Sequence, residues 1–204
     1  NLLSICYKID FFILMDNNKV YEAYLMAKEK HRGQKRMDGR PYIAHPIMVA
    51  RLVKKYLSNE ERLDEIIMAA YLHDTIEDTD TTYEEIEEKF GSYVAYLVMG
   101  VTNDEKIKKS MGKTNYLCYK MYHMNDDVLN LKLCDRLSNV MDLRNANKEF
   151  LERYETETIM ILDYLLSNRN LTETQLEIVK EINNQINDLR KDMVLSLAKH
   201  SFIY

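Results

Sequence analysis

The sequence has only five glycines and two prolines in 204 residues. So few turn-formers argue against an all-β fold, whose tight turns need them, and favour helices joined by short polar loops. No run of 18 apolar residues occurs, so nothing reads as a membrane-spanning helix and no membrane partner is expected. Cysteine is scarce: positions 6, 118 and 134, with no CxxC spacing. These read as reduced thiols in a cytoplasmic protein, with Cys118 and Cys134 serving helix packing. Positive charge is also short. The formal charge is −5, which speaks against general nucleic-acid binding. An anionic ligand then requires locally gathered cations, and KHRGQKRMDGR (30–40) offers five Lys or Arg against one Asp.

Hydrophobic residues make up 46% and charged residues 30%, the balance of a globular domain with a sizeable core. The apolar stretch NLLSICYKIDFFILM precedes a Met at position 15 and is interrupted by Lys8 and Asp10. It does not read as a signal peptide. Residues 1–14 are expected to be an upstream or non-native extension, with a true first helix as the alternative, and 15–204 to form the domain.

Helical spacing of Val20, Tyr21, Tyr24, Leu25 and Ala27 predicts a helix over 17–31. Pro41 and Pro46 bracket PYIAHP, so Tyr42 to His45 are expected to be extended or turn-like, with Pro46 opening the next helix. A helix over 62–77 buries Leu63, Ile66, Ile67, Ala70 and Tyr71. Thr81 and Thr82 ahead of Glu84 and Glu85 form a capping-box pattern, and Gly91 ends that helix. Further helices are expected at 92–101, 113–123, 126–144, 148–167 and 173–199. The fold class is all-α, a bundle of about eight to ten helices. The last helix, with Leu176, Val179, Ile182, Ile186 and Leu189, is expected to pack on its own domain.

Chemistry gathers at YLHDTIEDTD (71–80). Residues four apart on a helix stack on one face, so His73 lies under Glu77 and Asp74 under Asp78. An HD dipeptide alone is common and is usually a solvated helix end. A second signal comes from LNLKLCDRLSNVMDLR (129–144), where Asp135, Asn139 and Asp142 make a polar stripe on an apolar helix. Spacing alone leaves that stripe divided between a solvent face and a buried ligand set, with Arg136 and Arg144 as available ion-pair partners. A buried carboxylate requires pairing or a metal. His45 stands at the mouth of a helix. Two imidazoles and two carboxylates suit Mn, Fe, Zn or Mg, an ion that activates water and polarises a phosphoryl oxygen. Glu77 and Asp78 are then placed to position that water or move its proton.

His45, the His73-Asp74 pair and Asp135 match the spaced signature of the HD-domain metal-dependent phosphohydrolases. More narrowly, HRGQKR, RPYIAHP, HDTIEDTDTT, VTNDE and LKLCDRLSNVMDL resemble, in order, the hydrolase domain of the RelA/SpoT alarmone enzymes. The likeness is closest to the small stand-alone hydrolases of the metazoan SpoT-homologue type and covers about residues 20–165. It implies an all-helical domain holding one metal, usually Mn2+, that removes pyrophosphate from the 3′ position of ppGpp or pppGpp. It assigns His45, His73, Asp74 and Asp135 as metal ligands and gives Glu77 and Asp78 the attacking water. It places Arg36 on the guanine base and Tyr42 in the same pocket. Asn139 would meet the ribose, Lys109 a phosphate, and Tyr154 the pocket wall.

Departures from the pattern are Met37, where the family usually has Lys, Asp142 in place of the bacterial Thr, and Ser138 in place of a frequent His. With 204 residues there is no room for a synthetase domain, so loss of synthesis is the expectation. Two other readings stand beside hydrolysis of ppGpp: an HD phosphatase for another nucleotide such as NADPH, kept because of Met37, and a module that binds nucleotide without turnover. The oligomeric state is left open.

Overall fold

The computed structural model describes residues 18–201; residues 1–14, expected above to be an extension, and Cys6 among them, lie outside the described residues. The chain forms two compact units, and all-α is the class observed. Among the described residues the only β pairing is an isolated bridge between Lys35 and Pro41. Among the described residues no helix is long and apolar enough to cross a membrane.

The first unit takes residues 18–36 and 40–102. It contains α1 (Asn18–Lys30), α2 (Ala44–Tyr56), α3 (Leu63–Leu72), the single turn α4 (Thr75–Asp78), α5 (Tyr83–Phe90) and α6 (Ser92–Val101). Helix α3 is its axis: Ile66 through Leu72 are all buried, and α1, α2 and α6 pack around it. A helix that is apolar on every side belongs inside a bundle. On α1 the buried face is Val20, Ala23, Met26 and Ala27, while Leu25 is exposed. The expected stripe was therefore rotated, because small Ala side chains rather than Tyr and Leu allow α1 to approach α3. Thr82 caps α5 as expected, its hydroxyl accepting from the Glu85 amide at 3.2 Å.

The second unit takes residues 37–39 and 103–201. It contains α7 (Glu105–Met111), α8 (Lys113–His123), α9 (Asp126–Asp142), a 3-10 turn (Leu143–Asn145), α10 (Lys148–Asn168) and α11 (Glu173–Ser201). Every residue from Val128 to Ser138 of α9 is buried. Helix α11 lies along α9, burying Ile178, Val179, Ile182, Ile186 and Leu189. It packs on its own unit, as expected, although Leu176 faces outward. Asn125 and Asn147 cap α9 and α10 by accepting from Val128 and Phe150 amides, each at 2.9 Å.

Arg169, just past α10, ties this unit together. Its guanidinium donates to the backbone carbonyls of Met121, Tyr122 and Met124 at the end of α8. It also donates to Asp126 Oδ1 at 2.8 Å, where α9 begins. A cation at a helix C-terminus meets both the orphan carbonyls and the helix dipole. Arg169→Ala is expected to cost about 2–4 kcal/mol, since several charge-assisted bonds go at once and leave carbonyls unsatisfied. Urea denaturation of the variant against the parent measures it.

Candidate metal and hydrolytic centre

The helix expected over 62–77 is interrupted. Helix α3 stops at Leu72, and His73 and Asp74 form a bend with Asp74 at φ −100° and ψ −4° before α4 resumes. No Gly or Pro marks the break. The buried Thr75 hydroxyl donates back to the Leu72 carbonyl at 2.7 Å, taking a carbonyl left over at the bend, a known way for Thr to deform a helix. The bend turns the His73 ring inward, where it is buried, and leaves Asp74 half-buried.

Tyr42 and Ile43 form a turn and His45 stands at the mouth of a helix, as expected. The helix starts two residues before Pro46, so His45 is already inside the first turn of α2, with Ile43 α-helical at φ −54° and ψ −19°. Pro46 is the third residue of that helix. First-turn amides have no intrahelical acceptor, so the missing N–H costs nothing there. The preference of a pre-proline residue for extended backbone is overridden by burial of the His45 ring.

The two imidazoles face one another, with Nε2 to Nε2 at 3.2 Å. Asp74 Oδ2 is 3.0 Å from His73 Nε2 and 3.7 Å from His45 Nε2. His73 Nδ1 lies 2.9 Å from the Ala70 carbonyl. A carbonyl only accepts, so the network assigns the hydrogen to Nδ1 and leaves the lone pair of a neutral ring on Nε2. Electron pairs on His73 Nε2 and Asp74 Oδ2 then point at each other inside the protein. Such an arrangement is stabilised by a proton or a cation between them. Separations of 3.0–3.7 Å are those of neighbouring ligands around a divalent ion with bonds of about 2.0–2.2 Å. The donor set fits a metal.

Tyr42 closes this side of the centre. Its hydroxyl donates to Asp74 Oδ2 at 2.6 Å and to Asp78 Oδ2 at 3.2 Å. The expected Asp74–Asp78 column is therefore present, bridged by a phenol. Burial first, and then the charge of Asp74, pushes the Tyr42 pKa far above the usual phenol range, so the group remains a donor. Asp78 has its carboxyl pKa raised, first by partial desolvation and next by Asp74, the direction that makes a carboxylate a better proton acceptor. Glu77 is exposed one residue earlier. The Arg36 guanidinium sits 5.6 Å from the Tyr42 ring centre. Tyr42→Phe is expected to lower kcat about 10- to 100-fold, the scale on which hydrogen-bond partners around a metal site act. Steady-state kinetics with metal content measured on the same sample checks it.

In the second unit, Asp135 is buried at 6% exposure, so the polar stripe of α9 is not a solvent face. Lys132 Nζ holds Asp135 Oδ2 at 2.9 Å and Asn139 Nδ2 holds Oδ1 at 2.7 Å. Asn139 thus has a carboxylate to orient, whatever else it touches. The Arg136 guanidinium donates to Glu157, at 3.3 Å, and to Thr158 Oγ1, at 3.0 Å, and also feels the charge of Asp135. Arg144 pairs with Asp192. Tyr154 is flanked by the Arg136 guanidinium at 5.1 Å and the Lys113 ammonium at 5.7 Å. Its pKa is raised, chiefly by burial. Lys109 is exposed on α7, and Met37 is 60% exposed. Burial pushes the Cys134 thiol well up, as fits an inert packing residue.

Sequence reasoning passed over Lys132 and two residues of the α1–α2 loop, His31 and Gln34. Gln34 donates to the Asp78 carbonyl at 3.1 Å, and Lys30 pairs with Asp80 and Glu85, so that loop is pinned to the segment carrying the acids. The signal available was HRGQ itself, a turn with Gly33 at φ +83°.

Residues 23–172 match the family described as HD domain. A guanosine-3′,5′-bis(diphosphate) 3′-pyrophosphohydrolase from Aquifex aeolicus is 47% identical over 145 residues, 70% of this chain but 20% of that protein. The human protein of the same description, MESH1, is 35% identical over 173 residues, covering 80% of this chain and 94% of its own length. Among solved structures, a metazoan orthologue of SpoT, described as hydrolysing ppGpp with a role in starvation responses, aligns at a TM-score of 0.69 and 28% identity. That alignment spans 83% of this chain and 96% of the other. The chain spans about a fifth of the Aquifex relative and nearly all of the human one. A buried imidazole pair beside an Asp on a helix bend, on an all-α frame matched over most of its length, places this chain in the HD-domain family, with the MESH1 and SpoT-type proteins.

Proposed function

We propose that this chain is a metal-dependent (p)ppGpp 3′-pyrophosphohydrolase. The observation that carries the reading is the His45–His73–Asp74 cluster with Tyr42 and Asp78 at its edge. The printed activities of the MESH1 and SpoT-type relatives support the substrate.

In this reading His45, His73, Asp74 and Asp135 hold one divalent ion, Mn2+ by family resemblance. Such an ion, when bound, supplies Lewis acidity toward water and a phosphoryl oxygen. The chain's own residues do the rest. Asp78 accepts a proton from the attacking water, and Glu77 orients that water. Tyr42 keeps Asp74 and Asp78 in register through its hydroxyl. The water oxygen bonds to the phosphorus attached at the ribose 3′-oxygen, and the P–O3′ bond breaks. The 3′-oxygen leaves as a hydroxyl after taking a proton, giving pyrophosphate and GDP or GTP. Arg36, preorganised over Tyr42, stacks on the guanine. Asn139 and Tyr154 line the sugar side, and Lys109 meets phosphate. The location is cytoplasmic and the partner a small molecule.

Met37 favours one competing reading. An exposed thioether stands where the family pattern has an ammonium, which weakens the case for a second diphosphate and favours a nucleotide with a single extra phosphate, such as NADPH. A panel of ppGpp, pppGpp and NADPH with Mn2+-loaded protein, assayed separately for phosphate and pyrophosphate, decides. Pyrophosphate from ppGpp is expected. Phosphate from NADPH with ppGpp intact overturns the substrate, and tight ppGpp binding with no product overturns the enzyme.

A further inference from the structure

His31 is buried at 3% exposure and has no part in the chemistry above. Its ring lies against that of Tyr42, centroids 4.6 Å apart and planes tilted by 31°. Its Nδ1 is 2.7 Å from Gln34 Oε1. Gln34 in turn directs its Nε2 at the Asp78 carbonyl, 3.1 Å away. A carbonyl accepts only, so the Gln34 amide presents its oxygen to the imidazole, and His31 Nδ1 is the donor. The other ring nitrogen, Nε2, is buried with no hydrogen-bond partner among the described residues. Orphaned buried polar atoms are rare, and each calls for a reason. An apolar ring would fill this space without leaving one.

We infer that His31 is a positioning residue for Asp78, acting chiefly through its Nδ1–H and Gln34 onto the Asp78 backbone, with its ring contact on Tyr42, which bears on the carboxylate, as the weaker route. The first route fixes where the turn at 78 sits. The second fixes which way the carboxylate points, because the Tyr42 hydroxyl reaches Asp78 Oδ2 only while its ring is held. The turn needs such fixing. Helix α4 is four residues long, too short to hold its own end in place. Lys30, the last residue of α1 and next to His31, pairs with Asp80 and Glu85, so the acidic segment is also held just beyond Asp78. The inference rests on the reading of Asp78 as proton acceptor.

The test is a set of variants in Mn2+-loaded protein, read as kcat, KM, metal content and melting temperature. His31→Phe keeps a ring against Tyr42 and loses the donor. His31→Asn places an amide N–H where Nδ1 was. Expected for His31→Phe is a kcat lower by about 10- to 100-fold, the scale of outer-shell partners, with KM and metal content unchanged. His31→Asn is expected to recover most of that loss. Gln34→Met, at a half-buried turn position that tolerates change, is expected to match His31→Phe, and the double variant to be no worse than either single one. Unchanged kcat in His31→Phe, an equal loss in Phe and Asn variants, or a loss that tracks metal content or melting temperature overturns the inference. If His31→Phe does not fold, Gln34→Met decides by the same criteria. Asp78→Asn separates the layers: if it is inactive while His31→Phe turns over normally, this inference alone fails. If Asp78→Asn is active, the proton-acceptor reading fails first.

Discussion

His73→Ala is expected to abolish ppGpp turnover, by on the order of 10³-fold or more, because the attacking water would then lack the acidity that a bound divalent ion supplies. The reasoning starts from geometry. His73 Nε2 lies within 3.2 Å of both His45 Nε2 and Asp74 Oδ2, so it is the shared neighbour of the other two groups. Its tautomer is set by the Ala70 carbonyl, an anchor that costs affinity when lost. Alanine removes both the proposed ligand atom and the anchored ring. Metal content after dialysis is expected to fall with activity. The sharper readout is thermal. A ligand that binds only the folded state stabilises it by mass action, about 2.7 kcal/mol at a hundredfold excess over Kd. Mn2+ is expected to raise the melting temperature of the parent and leave that of His73→Ala unmoved. A variant that still gains stability from Mn2+ and still turns over ppGpp would remove His73 from the ligand set.

The fold was legible where burial is periodic. Helices at 92–101 and 113–123 fall where expected, because each buries one face and ends at Gly, Thr or Met-Asn. Helix α7 was not foreseen, since none of its residues is buried and there is no apolar rhythm to read. Only the Asp104 cap, accepting from the Lys106 and Ile107 amides, signals its start. The bend at His73 was invisible for another reason. Thr75 does the work through a hydroxyl–carbonyl bond, and a Thr inside a helical pattern does not announce that. At the centre, spacing plus resemblance picked out His45, His73, Asp74 and Asp135, and the first three gather in the first unit. Lys132, Gln34 and His31 were missed because each acts on another side chain or on backbone. Such partners are chosen by tertiary approach, on which a linear pattern is silent. Burial of Asp135, undecided from its stripe, follows from α9 being covered along its length.

Asp78→Asn is the complementary experiment, expected to leave the metal in place and stop the chemistry. Asparagine keeps the size of the side chain and an oxygen to accept from Tyr42, so the turn and the Tyr42–Asp74 bond are retained. What it cannot do is take a proton. General-base catalysis contributes about 10²- to 10⁴-fold, and kcat is expected to fall by that much. KM should hold, because none of the proposed base, sugar or phosphate contacts involves residue 78. Metal content should match the parent, which distinguishes this loss from that of His73→Ala. The two variants together separate holding the ion from moving the proton: one loses both, the other only the second. If Asp78→Asn retains kcat within about threefold of the parent, well short of a general base's contribution, the proton acceptor lies elsewhere. Glu77 is then the next to replace, since it is exposed on the same short helical turn.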